Sequence, residues 1–418
     1  MLPRTPSTAG MRTRLLPLYI AVGLQGFMLW VPIEKLFMSE IGFDPADVGV
    51  MAVAYSAFVP IVEMPSGLLA DRWSRRGVLV LASVALALTS LIGGMSTNVP
   101  AYIGSALLLG VYFAMYSGTM DAVVYDTVLE EVGDSDAFER QIGRVRLAET
   151  VTLVASSLLG GWIANVATPR LTYFMTVPFA LLSIVAFLRF REPQLHKTEE
   201  PVPLRRQLVV TYRTLIRNRT LLPSVALAVL TAMIMQTMFE FGPLWLMAFA
   251  VPAVAFGPYW AGLVSTMGVG GLLAGRFSFD RRATTVTAGA LLLAAAATLA
   301  VSTQIVVLVV AQMVLATLLM IASISVTRRV HDAVPSSVRS GVASGLGAVS
   351  WIAFLPFALG TGLVIEFSGV RAAGGLVAAV TVVTAALWLV PALRRAPAPL
   401  PEEAAAAEVV RAPAGMVG

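Results

Sequence analysis

No cysteine occurs in the sequence, and the two histidines, His196 and His331, fall in different loops. Protein zinc sites gather Cys and His at close spacing, so a zinc centre built on such a cluster is excluded. Lysine is nearly as scarce. Lys35 follows Glu34 and Lys197 follows His196, so neither has the preceding Gly that a phosphate-binding P-loop requires, and the chain holds no Walker ATP site. Any pumping must draw on an ion gradient or a partner ATPase. Charged residues make up 13% of the chain, against about a quarter in a soluble domain. The arginines that give the net charge of +5 are spread over short loops, which excludes a nucleic-acid-binding face. What fills the chain instead is apolar: 57% hydrophobic residues and a mean hydropathy of +0.82. This is the composition of a polytopic membrane protein, and the fold expected from the apolar runs below is all-α.

A helix needs about 20 apolar residues to cross a bilayer. About twelve such runs lie between turn and charge signals: 13–37, 47–70, 78–97, 101–125, 145–166, 171–190, 221–249, 256–276, 283–303, 305–327, 340–366 and 371–393. The first follows Arg4, Arg12 and Arg14 as a secretory signal does. No small-residue cleavage site ends it, however, and GFDPADVG leads straight into the next run, so it is taken as a helix. Lys and Arg collect on the cytoplasmic side of a membrane. With the N-terminus inside, every Lys and Arg except Lys35, Arg170 and Arg371 falls in an inner segment. Both termini are therefore expected in the cytoplasm.

The chain divides at a polar stretch. Residues 1–190 hold the first six runs and 221–395 the last six. Between them, 191–220 is expected to form a cytoplasmic linker, in which LRRQLVVTYRTLIRNR (Leu204 to Arg219) reads as a basic amphipathic helix on the anionic inner leaflet. Residues 396–418, rich in Pro, Ala and Glu, read as a disordered cytoplasmic tail. The halves also repeat: GLLADRWS at Gly67 to Ser74 recurs as GLLAGRFS at Gly271 to Ser278, at the matching exit of the eighth run. Duplication is the better reading, and only the first copy keeps the acid, Asp71, where the second has Gly275.

The most informative stretch is EMPSGLLADRWSRR, Glu63 to Arg76, where an apolar run ends in dense charge. Gly67, Asp71, Arg72, Arg75 and Arg76 fill the pattern G-x-x-x-D-R-x-G-R-R, with Ser74 in place of its usual Gly. On this pattern, and on DAVVYDTVLEE at the end of the fourth run, the chain resembles the major facilitator superfamily, and within it the bacterial drug:proton antiporters. The resemblance implies about twelve transmembrane helices in two six-helix bundles that rock around a central cavity. It also implies a conformational latch in which Asp126 pairs with Arg72 or Arg75, assisted by Gly67, Asp71 and Arg76. Two departures stand out: the fifth run lacks a G-x-x-x-G-P stretch, offering only Ser157, Gly160 and Gly161 in ASSLLGGW, and the fourth run lacks a mid-helix Arg.

Burying an ionised group at mid-membrane costs on the order of 3 kcal/mol, which makes ionisable residues inside apolar runs functional candidates. They are Glu34, Lys35, Glu63, Asp121, Asp126, Glu149 and Glu240. Glu240, in MQTMFEFGPLW, lies about 28 Å along its helix with no cation within a turn; it is expected to bind a proton or a cationic substrate, or to hydrogen-bond a neighbouring helix. Glu63, two turns before Asp71, is a second proton site or a polar tie between helices. Asp121 is a further proton or substrate candidate. Glu34 and Lys35 are adjacent, so they are expected not to pair with each other: one faces the cavity or a helix while the other snorkels to water. Glu149 is expected to pair with Arg146 at the inner boundary. Soft Met and flat aromatic groups suit a cavity for varied apolar ligands, with Tyr112, Tyr116, Met238, Trp245 and Trp351 as lining candidates.

The expected function is proton-coupled export of a small amphipathic, drug-like compound across the bacterial cytoplasmic membrane. The direction follows from the resemblance alone. Protons, the small-molecule substrate and membrane lipids are the expected partners, with no nucleic acid, no cofactor, no metal and a monomeric state. Uptake of a small metabolite by the same fold is the alternative, and calls for fixed polar groups at mid-membrane. No nucleophile, metal cluster or cofactor motif can be assembled, so no enzyme is expected.

Overall fold

A computed structural model describes residues 8–132, 138–193, 221–274, 282–332 and 339–389. Every long element among them is a helix: α1 (Thr8–Gln25), α2 (Glu34–Glu40), α3 (Pro45–Arg72), α4 (Arg75–Met95), α5 (Val99–Val132), α6 (Phe138–Val166), α7 (Pro169–Arg189), α8 (Leu222–Ala248), α9 (Phe256–Ala274), α10 (Arg282–Val301), α11 (Ile305–Asp332) and α12 (Arg339–Leu389). Nine of the described helices are long and apolar enough to cross a membrane. The last of these is two helices joined at Gly369, whose φ of 79° and ψ of 170° a glycine adopts without the clash a Cβ would bring. With α1 and α9, the architecture is the expected one of about twelve spans.

Local chemistry explains where the helices start. Asp44 and Asp47 form a reciprocal capping box across the start of α3 at Pro45, and Ser74 and Thr168 accept hydrogen bonds from Gly77 N and Leu171 N at the starts of α4 and α7. Such caps satisfy amides that have no partner inside the helix. Within the spans, Ser and Thr hydroxyls donate back to carbonyls one turn earlier, as Thr127 does to Val123 and Thr237 to Met233. These hydroxyl hydrogens are thereby paired inside their own helices.

The chain clusters into two compact units, Met1–Glu199 with Ala250–Ser265, and Glu200–Phe249 with Thr266–Gly418. The sequence reading put the first bundle at 1–190 and the second from 221; this clustering instead divides at Glu199 and groups Ala250–Ser265, the turn before α9 and its start, with the first unit. The proposed linker helix, Leu204 to Arg219, and the tail 396–418 lie outside the described residues.

The core of the first unit is built where α1, α4, α5 and α7 meet, with Leu15, Leu18, Leu79, Leu86, Met120 and Phe187 nearly or fully buried. Large apolar side chains such as Leu158, Trp162 and Leu182 stand exposed on the outer faces of α6 and α7, as suits helices solvated by lipid. The second unit has a smaller cluster of Leu221, Val225, Val330, Val342 and Leu346.

The first membrane segment departs from expectation. In place of one helix over 13–37, α1 ends at Gln25, Gly26–Trp30 are not helical, and a short 3-10 turn at Val31–Ile33 leads into α2. Nearby carbonyls take the Gly26, Phe27 and Met28 amides, and distant side chains add to them: Thr176 Oγ1 accepts from Leu29 N at 3.1 Å, and the Trp30 indole N–H donates to Ser90 at 3.2 Å. Gln25, just before the break, donates to Ser83 at 2.9 Å. Non-helical backbone is tolerated at membrane depth only when the protein satisfies it in this way. Glycines of α6 make room for the break. A Cβ at Gly160 would overlap the carbonyl oxygen of Leu29, and one at Gly161 would come within 2.6 Å of Gly257 N. Small residues of this kind let membrane helices approach backbone to backbone.

Candidate functional site

In the first unit, α5 and α6 bring a polar cluster into membrane-spanning segments. Arg146 Nη2 donates to Asp121 Oδ1 at 2.8 Å and Arg146 Nη1 to Glu149 Oε2 at 3.1 Å. Tyr116 OH donates to the other Glu149 oxygen at 2.5 Å, and its ring stacks on Tyr112 with centroids 5.6 Å apart. The spacing is helical: Arg146 and Glu149 are one turn apart on α6, and Tyr112 and Tyr116 one turn apart on α5. Both rings are buried, while Arg146 and Asp121 are 47% and 49% exposed. Two carboxylates thus share a single, half-exposed guanidinium beside a buried, stacked aromatic pair. The same turn of α6 touches the break in the first segment, where a Cβ at Gly26 would meet Thr152.

The charged turn after α3 forms a second group. Arg75 pairs with Asp126 of α5 and also reaches the Ala122 carbonyl, whereas Arg72 is exposed. Of the two partners that the family pattern offered for Asp126, the structure uses Arg75. The side chain of Asp71 lies outside the described residues. Glu192 was not foreseen. Its carboxylate accepts from Arg75 N at 2.6 Å and from Ser74 OH at 2.7 Å, so an acid caps the N-terminus of α4, where the helix dipole favours it. The Ser in place of the usual Gly therefore has a partner. Arg76 donates to the Phe190 carbonyl at 3.3 Å, tying the end of α7 to the same turn.

The third group corrects an expectation. Glu34 and Lys35 do pair, at 3.1 Å, and Lys35 is 2% exposed rather than snorkelling to water. The rule against adjacent pairs holds for the interior of a regular helix, but Glu34 sits where the 3-10 turn passes into α2, and the long lysine chain folds back there. Tyr102 OH donates to Glu34 at 3.1 Å and lies 2.6 Å from Tyr173 OH. Arg170 packs over the Phe37 ring at 5.1 Å and donates to the Gly94 and Ser96 carbonyls. At the end of α2, partial burial raises the Glu40 carboxyl above its ordinary range, and the charge of Arg170 opposes the rise.

The remaining candidates are dispersed. Glu63 is exposed on α3 and Glu240 half-buried on α8. Met238 and Trp245 are fully buried, Trp245 donating to the Leu299 carbonyl at 3.3 Å; these two pack the second unit and do not line its cavity. Trp351 does line that cavity. Sequence reasoning gave Arg146 only a boundary role. Its position at the start of an apolar run, three residues before an acid, was the available signal.

The sequence model described as Major Facilitator Superfamily matches residues 15–353. Multidrug resistance protein 1 of Bacillus subtilis (strain 168) is 24% identical over 174 residues, 41% of this chain and 43% of that protein. The matched stretch thus spans less than half the length of that curated relative. Among solved structures, the nucleoside transporter NupG superposes with a TM-score of 0.75 at 15% identity, covering 91% of this chain and 98% of that one. The D-xylose-proton symporter gives a TM-score of 0.66 at 11% identity, covering 90% and 97%. At these identities the two structures speak for the fold alone.

Proposed function

The chain belongs to the major facilitator superfamily, and from that premise we propose that it is a proton-coupled exporter of small amphipathic, drug-like compounds. It works by alternating access, as a monomer in the bacterial cytoplasmic membrane with both termini in the cytoplasm. The observation that carries this reading is the sharing of Arg146 between Asp121 and Glu149. When all three groups are ionised the cluster holds one negative charge more than Arg146 can balance. Either a proton or a cationic substrate can supply the balance, and the two compete for the same place. Competition of this kind is what exchange requires, since a ligand shifts a conformational equilibrium only through its different affinity for the two states. Tyr112 and Tyr116 are buried in the core of the first unit and act by holding Glu149 through the Tyr116 hydroxyl, not as the cavity lining expected of them. Export, rather than uptake, is supported by the relative named a multidrug resistance protein. In this reading the Arg75–Asp126 pair, with Gly67, Asp71, Arg72 and Arg76, is the latch broken and remade between states. Glu63, Glu34 and Glu240 are further acids on the proton path.

Everted membrane vesicles carrying a pH gradient test the proposal, with substrate-induced proton efflux recorded over a panel of lipophilic cations and neutral amphiphiles. Wild-type protein is expected to discharge the gradient with some of these compounds, and Asp121→Asn or Glu149→Gln to lower that response at least tenfold. If Glu240→Gln alone silences it while both cluster variants respond normally, protons travel through α8 and the assignment to the cluster fails. If no compound moves protons through verified protein, yet a solute accumulates in right-side-out cells, export gives way to uptake.

A further inference from the structure

The second unit contains a cavity of about 340 Å3 with no charged residue in its lining among the described residues. That volume sits at the lower end of the range for small-molecule sites, about 300–1,000 Å3. Its walls are unusual for a membrane-embedded helix bundle. Gln236 of α8 and Ser323 and Thr327 of α11 all face it, and none of these three side chains makes a hydrogen bond among the described residues. The hydroxyl of Ser350, also in the lining, is already committed to the Leu346 carbonyl at 2.8 Å. Trp351 and Phe354 of α12 form the aromatic wall, edge to face with centroids 6.4 Å apart. Ala232 and Ala228, one and two turns before Gln236, leave the space open.

A polar side chain facing a cavity in an apolar bundle is costly when unpaired, and three together indicate that something else supplies their partners. A primary amide offers a donor and an acceptor side by side in one plane. Its natural complement is another planar group with an acceptor next to a donor, and a flat ring also suits the face of Trp351. A charged group is disfavoured, because no described residue of the lining balances it.

We propose that this cavity binds an uncharged, planar, cyclic-amide-like ring, with Gln236 pairing to the amide edge and Trp351 covering the ring face. Taken with the export reading on which its biological role rests, it accommodates the ring portion of the exported compound; the binding itself does not depend on proton coupling.

The test uses full-length protein in lipid nanodiscs and three uncharged bicyclic probes, followed by equilibrium dialysis. 2-Quinolone carries the amide edge, 1-methyl-2-quinolone lacks its donor, and naphthalene lacks the edge altogether. Saturable binding of 2-quinolone to wild type is expected. Gln236→Leu should weaken it at least tenfold, and 1-methyl-2-quinolone should bind wild type and Gln236→Leu equally weakly. Trp351→Leu should weaken 2-quinolone binding, whereas Trp351→Phe retains it, which separates loss of the ring from loss of the fold. Monodisperse elution of each variant confirms that it is folded. The proposal is overturned if no saturable binding occurs, the cavity then holding water only. It is equally overturned if naphthalene binds as well as 2-quinolone and Gln236→Leu changes neither, the cavity then being an apolar slot for a lipid chain. Binding with silent vesicles rejects export alone, and active vesicles without 2-quinolone binding reject this site alone.

Discussion

Alanine at position 160 is expected to destabilise the protein and stop transport, although it adds a single methyl group. That methyl overlaps the carbonyl oxygen of Leu29 and comes 2.9 Å from its carbonyl carbon. The obstacle is backbone, which cannot swing aside as a flexible side chain does. Overpacking a tight site costs about 1–3 kcal/mol. Here the strain falls on the non-helical residues Gly26–Trp30, where the Leu29 amide depends on Thr176 and the Trp30 indole on Ser90 for a partner. Gly161→Ala is expected to behave alike, because its methyl meets Gly257 N at 2.6 Å. Gly104, on α5, has nothing within 4 Å of its would-be Cβ. Gly104→Ala should therefore be neutral or stabilising, by up to about 1 kcal/mol from helix propensity. Thermal unfolding of the three variants in detergent, with transport in vesicles, decides the matter. A Gly160→Ala protein as stable and active as Gly104→Ala would falsify the backbone contact.

Loss of one member of the Arg75–Asp126 pair is the other change of large expected effect. Asp126 is 5% exposed, and removing one partner of a buried pair costs about 3–5 kcal/mol because the other charge is stranded. Arg75→Gln is therefore expected to cut transport more than tenfold and to lower the unfolding temperature. Adding Asp126→Asn should recover much of the stability without restoring transport, since the stranded charge is gone but so is the pair proposed as the latch. Arg72→Gln, at an exposed position of the same motif, should change stability little. A double-mutant cycle in which Arg75→Gln and Asp126→Asn simply add would show that the pair is not coupled.

Reading the chain without coordinates succeeds where the determining interaction is local. Asp44-Pro45 and Thr168-Pro169 announce helix starts through side chains that cap amides two or three residues away. The charged turn from Asp71 to Arg76 identifies the family because its residues lie within one stretch. Failure begins where the partner is distant. Hydropathy is blind to the break at Gly26, since Phe27, Met28, Leu29 and Trp30 are as apolar as any helix; what permits the break is a threonine on α7 and glycines on α6. The capping of α4 by Glu192 spans more than a hundred residues of sequence. The seventh apolar run is hydrophobic all round, so its pattern cannot say which methionine or aromatic faces a cavity. Met238 and Trp245 are core residues, whereas the less conspicuous Gln236 lines open space. Arg146 looks like a boundary residue until α5 brings Asp121 beside it.

The burial of Lys35 turns the protein into its own chemical reporter. The sequence contains two lysines, and with Lys197 replaced by arginine only Lys35 and the N-terminal amine can react with an amine-directed reagent. Lys35 is 2% exposed and held by Glu34, so it is acylated only when α2 lifts away from Tyr102 and Tyr173. Its rate of modification, read by mass spectrometry of the peptide around position 35, measures how often that end of the first unit opens. Comparing the rate with and without a transported compound times the opening without attaching any external label.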